Sequence, residues 1–257
     1  MGLWTREHAM TLLPAVAVMI LAAILLRRWL KNKEEKWRML PIRIIAVLLV
    51  ILELGKQGTH LARGYDLYAL PFHICSLALF MVPMMAFYRG KYVYTVRSIT
   101  VSICTAIALL TLIYPSLIYS ADNVRDFFHD FLDFHTVVFH NLVIFAFFLI
   151  LTLDLHDPKG KGDARAIILF HTGFCVVSAT MATVLKTNYA NFYQCNIPPL
   201  ENLRLMIQKA LGYWPTQILY ILIVSALTVL FTILSYHVYK SLRRLTCSKE
   251  EHTPQEV

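Results

Sequence analysis

The sequence predicts an all-α fold: a polytopic membrane helix bundle of seven transmembrane helices, with the N-terminus outside and the C-terminus cytoplasmic. Three observations carry that expectation. Of 257 residues, 58% are hydrophobic and only 16% charged, where a soluble domain carries roughly a quarter charged. Apolar runs of about 20 residues, the length that crosses a hydrocarbon core of about 30 Å, recur along the chain. Lysines and arginines collect on alternate connections, 17 on one set against seven on the other, and the richer set is the cytoplasmic one.

The elements follow in order. The first apolar segment spans about 9–26. Its basic flank, Arg27 and Arg28, comes after the apolar run and no small-residue cleavage pattern follows, so it reads as a span and not as a signal peptide. The second, 42–62, is interrupted by Glu53 and Lys56. The third covers 68–88, the fourth 98–119, the fifth 134–153. After the turn "DPKGKGD", residues 157–163, come the sixth, 164–185, and the seventh, 216–239. Residues 186–214 form the one long loop. Residues 1–245 make a single seven-helix transmembrane domain, and 246–257 a disordered, solvated cytoplasmic tail. The net charge of +8 belongs to cytoplasmic loops and implies no nucleic-acid partner. Five cysteines scattered singly, with no CxxC, form no disulfide framework. No cofactor or metal is expected, and the oligomeric state is left open.

Ionisable side chains inside spans are rare, because lipid cannot solvate them, and they tend to mark function. Here they fall at one depth. Cys75 lies about five residues below the outer end of the third span and His140 about six below the outer start of the fifth, at about 1.5 Å of rise per residue. Glu53 is in the outer part of the second span. Asn188 and Tyr189 close the sixth, Tyr114-Pro115 ends the fourth, and Trp214-Pro215 opens the seventh. The inner halves read as nearly bare, His171 excepted. Blander readings stand beside these. Trp214, Tyr114 and Tyr189 also suit an interfacial aromatic belt. His129 and His135, near the interface, read as solvated, and Cys104 and Cys175 as small apolar fillers. Glu53 can be satisfied by Lys56 or Gln57 one turn on.

The third span opens with "LPFHICS", residues 70–76. Pro71 fits the first turn of a helix, which sets Cys75 near the positive end of the dipole, where a thiolate is favoured. A histidine in reach completes the activated-nucleophile pattern. His73, two residues away on a regular helix, points elsewhere. His140, at matching depth on another span, is the better base, with Asn141 beside it as a support.

"LPFHICS" (70–76), "HTVVFHN" (135–141), "LKTNYANF" (185–192) and "LGYWPTQILYIL" (211–222) follow in the order and spacing of the YwaF-type integral membrane family, which this chain resembles over about 65–240. That family includes the vertebrate transmembrane protein 164, a cysteine-dependent acyltransferase of ether phospholipids. The resemblance implies that Cys75 is the nucleophile and suggests His140 as the base. It implies phospholipid and lysophospholipid partners. The polar layer at one depth supplies the expected substrate contacts, His73, Glu53, Asn141, Asn188, Tyr189 and Trp214, and a multi-pass protein of a bacterial plasma membrane is expected. Water in place of the acceptor lysolipid would make it a phospholipase.

Other classes remain open at this stage: a transporter, a receptor-like ligand pocket, or a metal site from His73, Cys75 and His140. A Cys75–Cys195 disulfide in an oxidising exterior would make Cys75 structural.

Overall fold

A computed structural model describes residues 4–158 and 161–247, and among them every regular element is helical. In chain order these are α1 (Arg6–Leu30), α2 (Glu35–Arg38), α3 (Leu40–Arg63), α4 (Leu77–Phe87), α5 (Val93–Ile113), α6 (Pro115–Ile118), α7 (Ala121–Arg125), α8 (Phe131–Thr152), α9 (Lys161–Leu185), α10 (Pro198–Leu211) and α11 (Tyr213–Cys247). Five of them, α1, α5, α8, α9 and α11, are long and apolar enough to cross a membrane. Helix α3 has the length, about 36 Å at 1.5 Å per residue, but carries Arg43, Glu53 and Lys56. Helix α4 has 11 residues, about 16 Å, which is half a bilayer core.

The third apolar segment therefore differs from expectation. It is not one helix beginning at Pro71. A single 3₁₀ turn, Leu67–Ala69, comes first, then an irregular stretch, and α4 starts only at Leu77. The "DPKGKGD" turn falls partly outside the described residues; of the expected tail 246–257, Thr246 and Cys247 belong to α11 and the rest lies outside the described residues.

Helix ends are capped by the local sequence. Thr5 and His8 form a reciprocal box at the start of α1. The Asp130 side chain accepts the Leu132 N–H at 2.7 Å to start α8. Pro198 and Pro199, which lack the N–H a first turn leaves unused, start α10, and Gly212 ends it at φ +87°.

Helix α5 is the centre. It packs on α4, α8, α9 and α11, and its buried positions include Ser98, Thr100, Ser102, Cys104, Thr105, Ala106 and Ala108. Small side chains let neighbouring backbones approach. Several of its hydroxyls bond within the helix: Thr105 donates to the Val101 carbonyl at 2.7 Å and Thr111 to Ile107 at 2.8 Å. Thr100 also reaches across to the Met81 carbonyl at 3.0 Å.

Side-chain bonds sort the connections into two ends. At one end Arg125 pairs with Glu7 at 2.8 Å, Arg63 with Asp130 at 2.5 Å, and the Tyr189 hydroxyl with the Leu67 carbonyl. At the other, Arg97 pairs with Glu35, Arg27 and Arg38 donate to the Thr152 and Leu153 carbonyls at 2.9 and 3.1 Å, and Arg243 pairs with Asp154 at 2.7 Å.

Candidate functional site

At the end that holds Glu7 and Asp130, a cavity of about 270 Å³ opens between α3, the irregular 67–76 stretch, α6 and α8. Cys75 and Ser76 line it from the irregular stretch, Glu53 and Lys56 from α3, His135 and His140 from α8. Thiol and imidazole thus face one space from different elements.

The backbone explains the placement of Cys75. The carbonyls of His73, Ile74, Cys75 and Ser76 accept the N–H groups three residues on, at 3.0–3.1 Å, so the chain winds in tight turns into α4. Cys75 directly precedes Ser76, the N-cap residue, at the positive end of the helix. The N–H groups of Ile74 and Cys75 donate to no backbone carbonyl among the described residues.

His140 is held by its own helix. Its Nδ1–H donates to the Thr136 carbonyl at 2.7 Å. That fixes the tautomer with the lone pair on Nε2, and Nε2 is buried without a hydrogen-bond partner among the described residues. An imidazole in this state accepts a proton.

His73 is occupied differently. Its Nε2–H donates to the Tyr68 carbonyl at 3.2 Å, and its Nδ1 accepts the Ala190 N–H at 3.5 Å. Both nitrogens tie the irregular stretch together, against Tyr68 and Tyr189 rings at 4.4 and 5.5 Å. Ala190 and Asn191 sit in the left-handed region, φ 46° and 63°, and the Tyr220 hydroxyl anchors the Asn191 carbonyl at 2.6 Å.

Glu53 accepts from Lys56 and Gln57, both at 2.7 Å, the two neighbours expected for it. Its second oxygen lies 3.6 Å from His135 Nε2. His135 is only 6% exposed, which corrects the expectation that it is solvated. The signal was present: a carboxylate in a span needs cationic or donor partners from a neighbouring helix as well as its own.

The remaining predicted contacts lie elsewhere. Asn141 turns its amide to the Val137 carbonyl at 2.9 Å and lines a different cavity, between α1 and α8; the group that orients His140 is the Thr136 carbonyl. Asn188 binds the Tyr193 and Gln194 N–H groups at 3.2 and 3.1 Å, closing its own loop. Tyr189 is fully buried beneath Phe72 and His73. Trp214 is 63% exposed and stacks edge-on with Tyr213. Cys75 and Cys195 are both free thiols. Among the described residues no three His, Cys, Asp or Glu side chains group closely enough to hold a metal ion.

The opposite end is not bare, contrary to the sequence reading. Asp163 accepts from Ser98 at 2.9 Å, Tyr236 at 2.5 Å and Tyr94 at 3.2 Å. His156 lies 3.3 Å from the Ser98 hydroxyl, and Tyr239 donates to the His156 carbonyl at 2.8 Å. Burial pushes the His156 imidazole down to about 4. These residues come from α5, α9, α11 and the connection 153–160, so no single apolar run announces them.

Comparison with known proteins matches residues 3–236 to the model of the TMEM164 family. No curated protein and no solved structure gives a match.

Proposed function

Because the chain belongs to the TMEM164 family, an integral multi-pass membrane protein family, we propose that it is a membrane acyltransferase that remodels phospholipids through Cys75 and His140. The observation that carries this reading is that Cys75 and His140 line one cavity, with Nε2 of His140 buried and unpartnered.

The chemistry follows from those groups. The Cys75 sulfur attacks the ester carbonyl of a phospholipid while its proton passes to His140 Nε2. Coupling the two steps avoids sustaining an isolated anion in an apolar wall. The tetrahedral oxyanion takes hydrogen bonds from the Ile74 and Cys75 N–H groups, which precede the first turn of α4. The carbon–oxygen bond breaks, the imidazolium returns its proton to the departing lysolipid oxygen, and an acyl thioester remains on Cys75. A second lysolipid hydroxyl then gives its proton to His140 and attacks the thioester, which restores the thiol and releases a new phospholipid. Glu53, with Lys56, Gln57 and His135 around it, forms the polar wall that receives the headgroup side of the substrate.

The same reading has seven spans. Helices α1, α3, α5, α8, α9 and α11 supply six, and the 67–76 stretch with α4 supplies the third in order. The Cys75 end faces outward, because the 17 basic residues lie on the other set of connections. Ester carbonyls sit just beneath the headgroups, the depth of this cavity.

The test uses the full chain, reconstituted with labelled phospholipid and an acceptor lysophospholipid. Acyl transfer is expected, with a hydroxylamine-sensitive acyl group trapped on Cys75. Cys75→Ala abolishes both. His140→Ala lowers turnover by about 10²–10⁴, the usual contribution of a general base. Undiminished transfer by Cys75→Ala rejects the proposal.

A further inference from the structure

A second cavity adjoins the first. It is a groove of about 570 Å³ between α10, α11 and the ends of α5 and α6. It follows α11 from Thr216 to Thr232, about 24 Å at 1.5 Å per residue, which reaches past the midplane of a hydrocarbon core of about 30 Å. Helix α10 closes one side with Leu200, Leu203 and Ile207. Leu117 lines both cavities, and Ile74, which lines the groove, is bonded to Cys75, which lines the other. The two further apolar cavities against α8, one beside α1 and one beside α3, share no lining residue with the Cys75 cavity. Arg204, the one cation on the groove wall among the described residues, is held by Glu201 at 2.6 Å, so the described lining presents no uncompensated charge to a phosphate.

We propose that this groove holds the acyl chain that is transferred: the chain lies along α11, its ester carbonyl reaches Cys75 past Leu117 and Ile74, and the depth of the groove sets which chain lengths react. This rests on the acyl-transfer reading above. The occupant follows from the geometry. The groove shares the Leu117 wall with the Cys75 cavity, and a cavity of a few hundred Å³ lined by aliphatic side chains is the usual size of a small-molecule site. Discrimination then comes from methylenes: each one gained or lost in an apolar pocket changes specificity by about tenfold or more.

The experiment has two arms on the full chain in vesicles. In the first, phosphatidylcholine with a diazirine at the tip of one acyl chain is irradiated and adducts are mapped. Adducts concentrated on the α11 segment 224–231, and lost in Leu227→Trp, support the proposal. Labelling spread equally over α11 and the α1–α8 cavity, unchanged by Leu227→Trp, overturns it. In the second, donors with 12-carbon and 18-carbon chains compete. Leu227→Trp and the deeper Thr228→Phe shift the product ratio toward the short chain by about tenfold, with the thioester on Cys75 still trapped. Trapped thioester with an unshifted ratio in both variants sinks the groove and leaves the acyltransferase. Groove adducts without any transfer by the wild-type chain support the groove and sink acyl transfer.

Discussion

A buried charge is tolerated only while its partners remain, and Glu53 has three. Lys56 and Gln57 meet it at 2.7 Å and His135 at 3.6 Å. Glu53→Leu strands Lys56 and costs about 3 kcal/mol. The double change Glu53→Leu with Lys56→Leu removes both charges and recovers most of that loss. Thermal unfolding in detergent reads the cycle, and equal losses in single and double variants exclude the coupling. His156 has a different dependence. The fold keeps its imidazole neutral down to about pH 4, while the unfolded chain protonates it below about 6.5. The unfolded state binds the extra proton between those values. Stability from this group is therefore complete above pH 6.5 and falls by about 3 kcal/mol as pH drops to 4. Unfolding curves of wild type and His156→Gln across that range should converge at the acid end, and parallel curves contradict it. At this scale the sequence revealed Cys75, His140 and Glu53, because a polar group in an apolar run stands out. It hid His135, His156 and Asp163, whose burial depends on helices far away in the chain.

The third apolar segment shows what hydrophobicity alone does not carry. A greasy run of 21 residues, 68–88, meets the length rule for a span, yet only 11 of them, Leu77–Phe87, are α-helical. Pro71 and the turns at 73–76 interrupt it, and the bonds that hold the interruption come from distant elements: the Ala190 N–H on His73 and the Tyr189 hydroxyl on Leu67 from the 186–192 loop, the Ser178 hydroxyl of α9 on the Phe72 carbonyl at 2.7 Å, and the Gln57 amide of α3 on the Ala69 carbonyl at 3.0 Å. Periodicity has no access to such distant partners. The same loop holds Ala190 at φ 46°, a left-handed conformation that costs an L-residue about 1–2 kcal/mol. Glycine adopts it freely but loses about 0.5–1 kcal/mol in chain entropy. Ala190→Gly should therefore leave stability unchanged or raise it by up to about 1 kcal/mol, and a clear drop in melting temperature contradicts this. Glycine keeps the N–H that meets His73, so the Cys75 cavity keeps its shape and any activity should be preserved. Helix α5, by contrast, stood out as an apolar element, although it runs Val93–Ile113 and not 98–119: hydroxyls such as Thr105 and Thr111 bond along the helix and disturb the pattern little.

At the scale of the molecule, the short α4 decides the topology. If residues 67–87 entered and left the membrane on one face, every later helix would be inverted, and Arg89, Lys91 and Arg97 would join Arg63 on the same side. The side-chain bonds argue the other way. Arg97 meets Glu35, from the connection after α1, whereas Arg63 meets Asp130 and Glu7 meets Arg125 at the far end. The chain therefore traverses the bundle between Arg63 and Arg97, by the irregular stretch and α4 together. The proposed orientation, with the basic connections cytoplasmic, puts residue 33 inside and residue 122 outside. Single cysteines placed there on a background lacking Cys195 and Cys247 should separate cleanly. Asp122→Cys reacts with a membrane-impermeant maleimide in intact cells, and Lys33→Cys reacts only after permeabilisation. A third probe at residue 91 distinguishes the alternatives, since it must follow residue 33 if the segment crosses and residue 122 if it doubles back. Labelling of Lys91→Cys in intact cells would place the Cys75 cavity in a re-entrant loop, and with it would fall the seven-span account of how an external lipid reaches the thiol.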